Sequence, residues 1–274
     1  TYTDLPVTQL DWIMENLPDE LVTGPYLGSY YYGFNLEQPP FKDNRALRRA
    51  LTLAVNRDII TSQIRKAGEI PAFGWVPPVL NYEGQQMPEA DWTQEAREAE
   101  ARRLYAEAGY SAENPLEVEI LYNTEDSHRV IAIAVASMWR EVLGVETSIM
   151  NQEWKVYLDT RRQKIATQVY RAGWIGDYND ANTFASLFLS TSEMNDSGYV
   201  SSRYDELIYL AADETDLLAR AEYLQEAERI FLEDLPVMPL YFYATTRLVK
   251  PWVAGLGQNI MNHHHSKDLR ILAH

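Results

Sequence analysis

Along this chain apolar residues recur every third or fourth position in some stretches and every second position in others, and the two patterns alternate. "VTQLDWIMENL" (7–17) predicts a short helix that Pro18 stops, and "GPYLGSYYYGFN" (24–35) predicts a strand with interleaved aromatics and glycines. "DNRALRRALTLAV" (43–55) has the stripe of an amphipathic helix. Asn56 offers the side-chain oxygen that caps a second, "RDIITSQIRKAG" (57–68), ending at Gly68. From 69 to 92 neither period holds, and proline, glycine and aromatic residues predict an ordered loop. "TQEAREAEARRLYAEAGY" (93–110) sets charges for i,i+4 pairing along a helix that Gly109 ends.

The second half repeats the alternation. "LEVEILYN" (116–123) alternates as a strand, "SHRVIAIAVASMWREVLG" (127–144) reads as a helix stopped by Gly144, and "VETSIMN" (145–151) as a strand. A helix over 154–164 leads into the strand "TQVYRAG" (167–173), which delivers "RAGWIGDYND" (171–180) onto a glycine-loosened turn. Helices over 201–214 and 218–235 precede the strand "VMPLYFYATT" (237–246) and a polar tail. Helices and strands alternating in this way predict an α/β fold built on a mixed sheet.

Composition narrows the function. Twenty-four basic against 40 acidic residues give a formal charge of −16 over 274 residues, a surface that repels nucleic acid and anionic membrane. The absence of cysteine removes disulfides, thiolate metal sites and cysteine nucleophiles. The best apolar run, "VIAIAVASMW" (130–139), is well short of the ~20 residues a bilayer requires. No G-x-S-x-G, H-E-x-x-H or P-loop occurs. "GLGQNI" (255–260) lacks the third glycine of a dinucleotide fingerprint. "DYNDAN" (177–182) opens like a calcium loop but meets Ala181 and Phe188 where ligands are needed. "HHH" (263–265) lies in the tail, and no catalytic set, metal or cofactor is expected.

What remains is a recognition motif. Asp177 suits an ammonium, Arg171 a carboxylate held in bidentate fashion, and Trp174 an apolar wall. On its own the motif also fits a salt-bridged loop beside a core tryptophan, which is the commoner arrangement.

Five blocks taken together decide the matter. "PPFKDNRALRRALTLAVNRDII", "LYNTEDSHRVIAIAVASMWREVLGV", "NQEWKVYLDTRRQ", "RAGWIGDYNDANTF" and "LPVMPLYFYATTRLVKPWV" occur in this order. They resemble the C-terminal half of the periplasmic oligopeptide-binding proteins, the solute-binding subunits of peptide ABC transporters, whose two lobes close over an extended peptide. The resemblance implies a lobe of the peptide-binding type of periplasmic-binding-protein fold. It also implies a non-enzymatic role, a periplasmic location, short peptides (murein-derived ones included) as ligands, and permease subunits as partners. It assigns the peptide's α-ammonium to Asp177, and peptide carboxylates to Arg171. Trp174, Trp154 and His128 become lining groups, and Tyr26 and Tyr31 the hinge-side wall. The block "DTRRQ" leaves Arg161 and Arg162 as alternatives.

Two departures accompany the resemblance. Gly33 in "YYYGFN" stands where related chains often carry an acidic residue, which removes a negative group. The segments expected ahead of residue 1 are missing. Residues 28–244 are therefore read as an intact ligand-binding lobe, with 1–27 and 245–274 as returning strips of the other lobe that expose apolar groups and favour self-association. The rival reading is a peptide- or glycan-directed hydrolase using Asp177 with a nearby carboxylate.

Overall fold

Local signals account for most of the element boundaries. The computed structural model describes residues 5–6, 9–79 and 81–273; positions 7 and 8, where the first helix is expected to begin, lie outside the described residues. Helix α1 (Leu10–Asn16) precedes strand β1 (Leu21–Phe34). In α2 (Arg45–Leu53) the Asn44 side chain accepts from Leu47 N–H. In α3 (Arg57–Ile59) Asn56 does the same for Ile59, satisfying amide donors that a helix start leaves orphaned. A π-helical turn, Ile60–Arg65, continues α3 until Lys66 adopts a left-handed conformation at φ 59°. Strand β2 (Ile70–Pro71) is a two-residue insertion in the stretch read as loop, and Thr93 caps α4 (Gln94–Glu107).

Strand β3 (Glu117–Asn123) feeds α5 (Asp126–Leu143), which Gly144 ends at φ 73°. Then come β4 (Glu146–Gln152), α6 (Trp154–Gln163), β5 (Val169–Ile175) and the short α7 (Asn182–Ala185). Helices α8 (Ser202–Asp213) and α9 (Leu217–Asp234) lead to β6 (Val237–Leu248). In the tail, β7 (Val253–Ala254) and β8 (Arg270–Ile271) form a separate antiparallel pair.

Six strands form one mixed sheet in the order β2-β6-β1-β5-β3-β4, with β3 parallel to both its neighbours and the remaining pairs antiparallel. The alternation of strand side chains sorts the tyrosine run of β1 onto two faces. Tyr30 and Tyr32 lie on one, their rings 6.2 Å apart, and Tyr30 stacks on Tyr241 of β6 at 4.6 Å. Tyr31 points the other way, edge-on to Trp75 at 4.9 Å and Phe188 at 6.2 Å.

Beneath that second face the stretch 72–87 is pinned by one carboxylate. Glu228 of α9 is buried and accepts from the amides of Trp75 (2.9 Å), Val76 (2.8 Å) and Gln85 (2.9 Å) and from the Tyr82 hydroxyl (2.7 Å). Strands β1 and β6 pair from Gly33↔Val237 to Leu21↔Leu248, with register shifts between Pro25 and Ser29 and between Tyr30 and Tyr31. The first of these shifts follows the pairing of Pro25 with Ala244.

Candidate functional site: an open strand end beside a charged groove

The motif at 171–180 begins as strand. Arg171 through Ile175 belong to β5 and pair with Tyr32 through Gly28, so the turn expected around Gly173 is displaced to Gly176 and beyond. Gly173 is needed for close approach. A Cβ there would sit 2.5 Å from the Tyr243 hydroxyl and 3.4 Å from Arg171 Nη2.

Strand β5 meets β3 only at Val169 and Tyr170. On the β1 side the amide of Gly176 donates to Leu27 O, which fixes the alternation: Ala172 and Trp174 bond toward β1, whereas Gly173 and Ile175 turn their N–H and C=O outward. Both outward-facing residues are exposed and, among the described residues, no strand pairs with them.

Charged and aromatic groups flank this open edge. Arg171 lies over the Tyr30 ring at 4.7 Å and donates to Tyr243 Oη (3.1 Å) and Asn123 Oδ1 (3.3 Å). Burial opposes its charge, but the phenolic oxygens of Tyr243, Tyr30, Tyr157 and Tyr241 outweigh burial, so the guanidinium stays protonated with no direct ion pair among the described residues. The Tyr157 hydroxyl donates to Arg171 O, and its ring stacks at 5.9 Å on the exposed Trp154 at the start of α6. At the far end, Thr183 Oγ1 accepts from Trp174 Nε1 (3.3 Å) and from the Asp177 amide (3.2 Å), tying both to the start of α7. The Asp177 carboxylate is exposed and has no ion-pair partner among the described residues.

A groove of about 990 Å³ adjoins Arg171, lined by Tyr26, Arg65, Lys66, Glu125, Tyr243 and Arg247 among others. His128 is buried at its edge. Its Nε2 is 2.9 Å from Glu125 Oε2, and its Nδ1 is 3.3 Å from the Tyr30 hydroxyl. Burial keeps the imidazole below its ordinary pKa, against the pull of Glu125, whereas the His128 hydrogen bond holds Glu125 at about 2. At neutral pH the pair is an ionised carboxylate beside a neutral ring.

Arg171, Trp174, Asp177, His128, Trp154 and Tyr26 thus lie on or beside the open strand end and its groove. Tyr31 does not: its parity on β1 sends the ring into the core, a correction to the hinge-wall expectation. Of the two arginine alternatives, Arg161 turns inward onto the rings of Tyr157 and Tyr170 and pairs with Asp196 at 2.6 Å, whereas Arg162 is exposed. Gly33 has a steric reason. A side chain there would overlap the buried Tyr170 phenol, so this chain fills the position with an aromatic ring from β5. Sequence reasoning missed Glu125, Tyr30, Tyr243, Asn123, Tyr157 and Thr183. Only the aromatics interleaved in the strand expected over 24–35 hinted at one of them, Tyr30.

Comparison with known proteins places the chain in a family. Residues 2–196 match the model of the bacterial extracellular solute-binding proteins, family 5 middle region. The chain is 39% identical over 276 residues to the periplasmic oligopeptide-binding protein OppA of Escherichia coli, covering all of this chain and 50% of that protein. Among solved structures, the E. coli murein tripeptide-binding protein MppA superposes with a TM-score of 0.91 at 36% identity, over 100% of this chain and 54% of that one. Haemophilus influenzae OppA in complex with RPPGFSPFR gives 0.88 at 36% identity, again over 100% and 54%. The chain spans about half the length of the curated relatives it matches. It belongs to the bacterial extracellular solute-binding proteins of family 5.

Proposed function

We propose that the protein carrying this chain binds short peptides in extended form in the periplasm and delivers them to the permease of an ABC transporter, without chemical change to the peptide. The outward-facing backbone of Gly173 and Ile175 carries the reading. It is an unpaired strand edge onto which a peptide main chain adds as a further strand. In this reading Asp177 takes the α-ammonium, Arg171 takes a peptide carboxylate, and Trp174 and Trp154 wall the side chains. Tyr26 and the His128 pair line the groove beyond. Residues 1–27 and 245–274 belong to a second lobe that closes over the ligand. Against the hydrolase reading, Asp180, the nearest carboxylate in the motif, is ion-paired to Arg220 at 2.8 Å. Although burial opposes its charge, that hydrogen bond holds it ionised and unable to serve as an acid.

Murein-derived peptides fit the same reading, as the similarity to a murein tripeptide-binding protein supports. Calorimetry of the intact protein with a tripeptide and its N-acetylated twin tests it. Acetylation and Asp177→Ala are each expected to weaken binding by ~3 kcal/mol, the usual loss when a buried ion pair is broken. Equal affinity for the two peptides, or recovery of a cleaved peptide, overturns it.

A further inference from the structure

The groove beside Arg171 holds a charge arrangement that the family resemblance does not describe. His128, expected to line the ligand, has both ring nitrogens engaged, one by Glu125 and the other by Tyr30, and is itself buried. What faces the groove in its place is the Glu125 carboxylate, whose side chain is 55% exposed and which lines the cavity. The cations that share the groove are already held. Lys66 pairs with Asp11 at 2.7 Å, and Arg65 pairs with Glu69 at 2.8 Å while lying over Tyr241 at 5.7 Å. Arg247 is buried, donating to Asn262 and lying 2.5 Å from His264 Nε2. Asp126, the first residue of α5, also lines the groove and has no ion-pair partner among the described residues. Beside the groove, bonded to its lining residue Tyr243, sits Arg171, a cation whose two hydrogen-bond acceptors, Tyr243 and Asn123, are neutral. Tyr30 separates the two signs: Arg171 is 4.7 Å from its ring centre and His128 5.6 Å.

We infer that Glu125 turns the His128 end of the groove into a seat for a cationic side chain, so that this protein selects short peptides whose C-terminal residue is lysine or arginine. The inference rests on the peptide-binding reading and deepens it. A ligand carboxylate on Arg171 places its own side chain toward Glu125. An ammonium or guanidinium there gives a counter-charge to a carboxylate whose hydrogen-bond partners, His128 and Ser127, are neutral, whereas an acidic side chain meets two like charges with His128 unable to answer them.

The test is a titration of three tripeptides, Ala-Ala-Lys, Ala-Ala-norleucine and Ala-Ala-Glu, against the intact protein and its Glu125→Gln and Glu125→Asp variants. Norleucine reproduces the lysine stem without the charge, so the lysine-to-norleucine ratio isolates the seat. Wild type is expected to bind the lysine peptide at least tenfold tighter than the norleucine peptide, and the glutamate peptide weakest. Glu125→Gln, on a half-exposed side chain that keeps an acceptor for His128, is expected to bring the ratio within threefold. Glu125→Asp is expected to restore much of the preference. A ratio unchanged by Glu125→Gln, or no lysine preference in wild type, overturns the inference and leaves peptide binding standing. Failure of all three peptides to bind overturns both.

Discussion

Removing the Glu228 side chain should cost far more stability than truncating an exposed acidic residue of α9. In Glu228→Ala three backbone amides (Trp75, Val76 and Gln85) and the Tyr82 hydroxyl lose their common acceptor. A buried donor left unmade costs ~1–3 kcal/mol, and the hydroxyl can rotate to another partner. Three amides at the low end of that range, with water entering the space vacated, give a loss of about 3 kcal/mol. Glu228→Gln preserves volume and one oxygen, which can keep the Trp75 and Val76 amides. Its NH₂ then faces the Gln85 amide donor to donor, for a loss of about 2 kcal/mol. Urea unfolding followed by tryptophan fluorescence measures both variants, with limited proteolysis reporting whether cleavage moves into 72–87. The pH dependence has a fixed sign. Burial pushes the Glu228 carboxyl above its usual range even with four donors. Between the unfolded value and the raised one the folded chain therefore holds the extra proton, and stability from this group falls as pH rises from about 4.5. Glu228→Gln lacks that slope. A Glu228→Ala midpoint equivalent to less than 1 kcal/mol of loss would show that the loop is held by its apolar contacts alone and would refute the reasoning.

Gly33→Ala is expected to destabilise by ~1–3 kcal/mol, because the added methyl overlaps the immobile Tyr170 ring. The same change in a Tyr170→Leu background should cost clearly less, and equal costs in the two backgrounds would disprove the steric account. His128, held below its ordinary pKa by burial, is protonated in the unfolded chain before the folded one. Stability should therefore fall as pH drops below about 6.5, and His128→Asn should flatten that part of the profile.

Capping was legible because it is local. Asn56 and Gly144 act within a few residues of themselves, and each stands where the sequence pattern asks for it; Asn44 and Thr93 cap in the same local way without having been singled out in the sequence. Gly173 was misleading for a related reason. A glycine in an apolar run reads as a break, yet its purpose is to admit Tyr243 from β6, seventy residues away in sequence. The run "YYYGF" could not reveal which tyrosines face the core, since side-chain parity depends on partners that only the sheet supplies. Arg171, Trp174 and Asp177 were singled out in the sequence because one contiguous segment carries them. Glu125 was not, since its meaning depends on a buried histidine and on cations already paired elsewhere. Glu228 looks in the sequence like any acidic residue on a charged helix.

The long β1–β6 ladder has a mechanical consequence. Two segments more than two hundred residues apart are joined rung by rung from Gly33↔Val237 down to Leu21↔Leu248, and Glu20 is further clasped to Lys250 at 2.7 Å. The ribbon is stiff where rungs are regular and compliant at its two register shifts. Torque applied near Leu21 and Leu248 therefore bends it at Pro25–Ser29 and arrives at Tyr30, the ring on which Arg171 and His128 both lean. A lever of this kind couples the angle of whatever is attached at its outer end to the tilt of the groove floor.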